Sequence, residues 1–344
     1  SGPVPELQGP FVKPPVWTWE VPAYFWIGGA ASGAAFVAVA CDAAGDARSA
    51  ALARKVALAV VTPAPVLLIG DLGRPERFLN MLRVFKPRSP MNMGAWCLVV
   101  FSAAASAGVA ADILDRPRIA RTAGVLTAFA GGYLGSYTGV LLACTAIPLW
   151  ARSRLLLGPI FVSTAAATGA AATRLTLVAR GLPAEHPTSA ALRAVETGAI
   201  VSELALSSIN ERALGRAGRV MRRGRPGQLY RAAKTAVVVG LGAQLLSTRT
   251  NRSGLQNLAS VAYLAGGLAF RFAWVEGGKA SAEDYEAVVA VARGHTGPRW
   301  APEFDEHAPP KPREPLPLPG ARRAWGEALR RTSLGIERLV RALH

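Results

Sequence analysis

Apolar residues in this chain fall into long runs, and most charges lie in the stretches between them. A helix needs about 20 mainly apolar residues to cross the hydrocarbon core of a bilayer. Eight runs come near that length: residues 21–41, 50–70, 93–111, 120–147, 157–179, 190–209, 232–247 and 258–274. The first, third and fourth are the clearest. The second carries Pro63 and Pro65, which predict a kink. The sixth carries Arg193, Glu196 and Glu203, and its hydropathy is the weakest; the seventh is short. The pattern predicts an all-α integral membrane protein, with eight transmembrane helices bundled in two four-helix halves. The first run is too long for a signal-peptide core, so no cleavable leader is expected.

Charge sets the expected orientation. The chain has 344 residues, is 51% hydrophobic, and still carries a net charge of +17. Mean hydropathy is only +0.26, because the runs are rich in Ala and Gly, the small residues that let membrane helices approach closely. Basic residues crowd the connections after the second, fourth and sixth runs, above all between Arg212 and Lys234. Without the tail, the side bearing the N-terminus collects 16 basic residues against 11 on the other. The positive-inside rule then places both termini in the cytoplasm, on a cell inner (plasma) membrane.

Composition changes after Trp274. The chain divides into a cytoplasmic segment at 1–20, a transmembrane domain at 21–275, a polar and Pro-rich tail at 276–320, and a last segment at 321–344. Eight prolines between Gly297 and Gly320 rule out a helix there and predict an extended strap or linker. In the last segment Trp325, Leu329, Ile336 and Leu343 share a face, with Arg322, Arg330 and Arg338 elsewhere. This reads as a basic amphipathic helix for the anionic leaflet or for a partner protein.

Several chemistries are disfavoured. Cys41, Cys97 and Cys144 sit in three different runs, too few for an iron–sulfur cluster and without a CxxC pair. His186, His295, His307 and His344 all fall outside the runs, which argues against membrane-bound haem. No P-loop or dinucleotide fingerprint is present, and no metal ligands, catalytic residues or nucleic-acid contacts are assigned. Redox chemistry would need a reactant bound beside an external cofactor. Charges at membrane depth usually face the bundle interior. Glu196 and Glu203, seven residues apart on one face, with Arg174 and Gln244 on other runs, are candidates for a proton path or for buried pairing.

Three segments carry a resemblance. They are WTWEVPAYFWIGGAASG at 17–33, GDLGRPERF at 70–78 continued by KPRSPMNMGAW at 86–96, and SYTGVLL at 136–142 followed by IPLW at 147–150. Together they resemble the NrfD family, the membrane subunits of polysulfide-reductase-type complexes, over roughly residues 16–275. The resemblance implies a subunit without metal or haem. It implies a quinone (menaquinone or ubiquinone) bound next to an iron–sulfur partner subunit, which serves a catalytic subunit, often a molybdenum or tungsten enzyme. By motif position Tyr137 matches a quinone-contacting tyrosine of the fourth helix. Tyr24 falls where some members carry histidine, and Val21 where some carry asparagine.

The residues themselves point to the same place. Trp17, Trp19, Glu20 and Tyr24 cluster at one membrane end, and the ends of the second and fourth runs bring Asp71 and Tyr137 there. Aromatic walls with a few polar groups suit a flat apolar head group. Trp17 and Trp19 also suit interface anchors, and Asp71 a partner of Arg74 or Arg77. Arg74, Arg77, Arg83, Lys86 and Arg88 are expected to dock the iron–sulfur partner or lipid phosphates. The expected function is electron exchange between that partner and the quinone pool in an oxidoreductase facing the cytoplasm. A formate dehydrogenase would suit the topology. The rival readings are a purely structural anchor and a stand-alone transporter.

Overall fold

The computed structural model describes residues 12–71, 76–183, 186–250, 253–284 and 288, with 76–79 and 216 as backbone only. The helices are α1 Glu20–Ala43, α2 Ala47–Val61, α3 Ala64–Gly70, α4 Glu76–Arg83, α5 Pro90–Ile113, α6 Pro117–Ala143, α7 Pro148–Arg152, α8 Leu157–Ala179, α9 Pro187–Leu214, α10 Gly224–Thr250 and α11 Ser253–Glu283. A 3-10 segment, Gly215–Arg222, links α9 to α10. The expected Pro-rich tail and the segment 321–344 lie outside the described residues.

Local chemistry sets the helix ends. α5, α6, α7 and α9 each open with proline at the first helical position, where its missing N–H costs nothing. Asp46 caps α2 by accepting the Ser49 N–H at 3.0 Å. Gly45, at φ 78°, takes the left-handed conformation that ends α1 and turns the chain into that cap. The kink expected in the second run is a break: α2 stops at Val61 and α3 resumes at Ala64, after Pro63.

Helix length and apolar length differ. The short seventh run belongs to a helix of 27 residues, because the basic stretch before it and the polar stretch after it keep helical hydrogen bonding. The fourth run ends at Ala143 rather than 147, where the chain turns into α7. The last helix continues two turns past the expected boundary at residue 275. Among the described residues, five segments are long and apolar enough to cross a membrane: Glu20–Ala43, Ala47–Gly70, Pro90–Ile113, Pro117–Ala143 and Ser253–Glu283. Of the other three long helices, α8 is diluted by small and hydroxyl residues, and α9 carries buried charge.

Short connections make successive long helices antiparallel. The starts of α1, α5, α8 and α10 share one end of the bundle with the ends of α3, α6, α9 and α11; this is the near end, and the opposite one is the far end. α1 packs on α2, α6 and α8, and α8 packs in turn on α9 and α11. The α1–α8 contact therefore joins a first half, α1 to α6, to a second half, α8 to α11. That contact is made by small residues. Any Cβ on Gly33 would strike the Ala165 carbonyl, and any Cβ on Gly169 would strike the Gly33 backbone. Small residues four apart on each helix let membrane helices meet this closely.

Candidate functional site

At the near end, the start of α1 is tied to the end of α3. The Thr18 N–H donates to Asp71 Oδ1 at 3.3 Å. The Thr18 hydroxyl lies between the Asp71 and Glu20 carboxylates and donates to one at a time. Asp71 thus has Thr18 as its partner among the described residues. Arg74 lies outside those residues, as does the side chain of Arg77.

The two tryptophans part company. Trp17 stacks on Trp150 at 5.5 Å between ring centroids and meets Phe25 edge-on at 6.3 Å. Its carbonyl accepts from Lys279 of α11. Trp150 is fully buried, donates to the Trp274 carbonyl at 2.9 Å, and fills the space that a side chain on Gly278 would need. Trp17 is therefore a clamp between the halves. Trp19 points outward, 61% exposed, in the manner of an interface anchor.

Tyr24 and Tyr137 come together deeper in the bundle, within electrostatic reach of each other and of Cys97. Both are buried. Tyr137 stacks under Tyr133 at 5.7 Å, and its phenol occupies the space where a side chain on Gly94 would stand. The SYTG and MNMGAW segments are thus complementary: one supplies the ring and the other the missing Cβ. The Tyr24 hydroxyl is buried and has no hydrogen-bond partner among the described residues. A buried hydroxyl left unpaired costs about 1–3 kcal/mol, so Tyr24 presents an unused donor.

The basic residues called for docking are surface groups where they are described. Arg83, Lys86 and Arg88 are exposed on α4 and the turn after it. Asn92 shapes that turn: its Oδ1 accepts the Lys86 N–H at 2.7 Å, and its Nδ2 donates to the Met81 and Val84 carbonyls at 2.6 and 3.0 Å.

The second half holds the interior charges. Arg174 meets Glu196 at 3.2 Å and Ser260 at 2.8 Å, and reaches the Gln256 carbonyl at 2.5 Å. Ser260 donates to the same Glu196 oxygen at 2.7 Å, while Glu196 Oε2 has no partner among the described residues. Glu203 accepts from Ser207 at 2.7 Å. Gln244 donates to the Arg193 carbonyl and to the Thr197 hydroxyl at 3.1 and 3.0 Å. The buried face of α9 is thus a polar stripe of Glu196, Glu203, Ser207 and Asn210.

Two features escaped the reading of the sequence. Arg271, 1% exposed, sits 3.6 Å over the Phe161 ring and donates to the Phe161 carbonyl at 2.9 Å, and its Nε and Nη1 have no partner among the described residues. Glu203 lies within its electrostatic reach. Its signal was a lone arginine inside the apolar stretch 268–275. Toward the far end, Arg54 binds Asp112 through two bonds of 2.7 Å and Asp42 at 2.5 Å. Here the signal was one charge inside the second run and one just past the end of each of the first and third, which became legible only once the runs were paired.

Apolar helices of spanning length, packed through glycines around buried charge, define a multi-pass helical membrane protein. The pattern of the family polysulphide reductase, NrfD, matches residues 8–281, and the chain belongs to that family. No curated protein matches it.

Proposed function

We propose that the chain is the quinone-reactive membrane subunit of a multi-subunit oxidoreductase, spanning the membrane eight times with both termini in the cytoplasm. The observation that carries this reading is the buried, unpartnered Tyr24 hydroxyl beside Tyr137 at the near end. A flat, mostly apolar head group with hydrogen-bond acceptors fits that setting. A bound quinone supplies two-electron, two-proton chemistry. Tyr24 and Tyr137 would hold its head by hydrogen bonds, and the Glu20–Thr18–Asp71 node would hold protons at carboxylate oxygens by the membrane surface. The Trp17–Trp150 stack closes the near end toward the second half.

Electrons would come from an iron–sulfur subunit docked on the near end. Exposed Arg83, Lys86 and Arg88 suit an acidic partner face. Behind that subunit would stand a catalytic subunit with molybdenum or tungsten, of the formate dehydrogenase kind. Glu203, with Gln244 farther along, would lead from the interior toward the far end for proton movement, past the Arg174–Glu196 pair that holds the fold there.

The test is quinone reduction by the intact complex carrying Tyr24→Phe or Tyr137→Phe. Each should lower kcat/KM for a soluble quinone about tenfold, the effect of one hydrogen bond near 1.4 kcal/mol, with assembly intact. Wild-type rates in both variants would leave a structural anchor in place of a quinone site.

A further inference from the structure

A cavity unrelated to the tyrosine pair opens in the far half of the bundle. It has a volume of about 640 Å³. Its walls are the C-terminal half of α1, with Phe36, Val37 and Ala40, and the first turns of α9, with Ala191 and Val195; its floor is Ala166 of α8. The geometry follows from packing already described. α8 packs on both α1 and α9, so a trough is left between those two above α8. Gly33, which draws α8 against α1, forms its inner end.

The outer rim is polar, being made of Gly45, Asp46, His186 and Thr188. Asp46 accepts from the Ser49 N–H and the Thr188 hydroxyl, one on each carboxylate oxygen. Each oxygen keeps a lone pair for a further donor. His186 accepts the Thr188 N–H at Nδ1, at 3.3 Å, which leaves Nε2–H as a donor. The rim therefore offers a carboxylate and an N–H donor side by side. From Gly33 to Ala44 the trough follows eleven residues of helix, about 17 Å at 1.5 Å per residue. One leaflet of hydrocarbon is about 15 Å thick, half of a 30 Å core.

We infer that this trough is a binding site for one bilayer phospholipid with an ethanolamine head group. An acyl chain lies along α1 from Ala44 to Gly33, the ammonium sits on Asp46, and a phosphate oxygen accepts from His186. Length, apolar lining and rim charge each match that ligand, and the site is independent of the quinone reading.

The test is native mass spectrometry of the full chain, purified with its partners in mild detergent and exchanged into phosphatidylethanolamine or phosphatidylglycerol. Wild type should retain one phosphatidylethanolamine per chain. Ala40→Phe and Ala191→Phe, made singly at exposed wall positions, fill the trough and should abolish retention without changing the melting temperature. Asp46→Asn should keep the lipid but lower the preference for phosphatidylethanolamine over phosphatidylglycerol about tenfold. The proposal is overturned if wild type retains no phospholipid, or if both wall variants retain as much as wild type. An unchanged preference in Asp46→Asn overturns it too. So does loss of a quinone, or of a second copy of the chain, in place of a phospholipid when the trough is filled.

Discussion

Gly33 of α1 and Gly169 of α8 lie backbone against backbone, so that neither position has room for a single methyl group. This crossing joins the two halves of the bundle. A side chain here cannot be absorbed by a rotamer change, because the obstacle is main chain. Gly33→Leu and Gly169→Leu should each force the helices apart and cost more than the about 1–3 kcal/mol of ordinary overpacking. Gly132→Leu on α6 meets nothing within 4 Å and is the control. The check is size-exclusion profile and melting temperature in detergent; a monodisperse, stable Gly169→Leu protein would refute the crossing.

Arg54 is a buried cation shared by two carboxylates from different helices, Asp42 at the end of α1 and Asp112 at the end of α5. Removing one member of a buried ion pair typically costs about 3–5 kcal/mol, because the charge left behind has no partner. Arg54→Ala takes the guanidinium from both carboxylates, leaving Asp42 only the exposed Arg121 at 3.9 Å, and should sit at the upper end of that range. Arg54→Lys keeps the charge but cannot make the paired bonds to Asp112, and should recover only part of the loss. Thermal unfolding of the three proteins in one detergent measures the order.

Much of the first half was legible from pattern alone. Runs of Ala, Gly and Val bounded by charge located α1, α5 and α6, and Pro63 located the break between α2 and α3. The motif segments could also be placed at one shared end of the bundle, because Tyr137 and Asp71 lie on helices that must return to the N-terminal side. What stayed hidden was pairing. Hydropathy charges Arg54, Asp112 and Glu196 against their own helices one at a time, whereas in the fold each is offset by a residue from another helix. Trp17 and Trp19 look equivalent in sequence, yet Trp17 finds a ring from a distant segment, Trp150, while Trp19 is exposed. The ends of α9 and α10 stayed hidden for a simpler reason. Basic residues continue a helix after the apolar face has ended.

Acid should loosen the far end through Asp46. Burial, the largest single influence, raises its pKa, but hydrogen bonds from Ser49 and Thr188 and the nearby His186 together hold it below the ordinary carboxylate value. A carboxyl with a lowered folded pKa stabilises the fold fully above its unfolded value, about 3.9, and loses that contribution as pH falls through the folded one. Asp46→Asn keeps a good helix cap but has no charge to titrate. Between pH 6 and pH 3 the wild type should therefore lose more melting temperature than Asp46→Asn. Parallel curves would mean that Asp46 is not held ionised by these contacts.

Glu196 and Glu203 occupy one face of α9, yet their surroundings give them different tasks. Glu196 is engaged by Arg174 and Ser260 in a fully buried network, so its charge serves the fold. Glu196→Gln strands the Arg174 guanidinium, and should lower stability by about 3 kcal/mol or more. Glu203 has a single described hydrogen bond, from Ser207, and lies within electrostatic reach of Lys234 and of Arg271, whose Nε and Nη1 have no partner among the described residues. A carboxyl held this loosely beside a cation can take up or release a proton with little rearrangement, as a transfer group must. Glu203→Gln should then fold normally, since Gln still accepts from Ser207, and Glu203→Asp should lie between it and wild type. In the assembled complex in liposomes, Glu203→Gln should slow proton uptake coupled to quinone turnover at least about tenfold, within the range for losing a general acid–base group. Wild-type proton uptake in a stable Glu203→Gln complex would remove Glu203 from any route. Low stability of that variant would return it to the structural role that Glu196 plays.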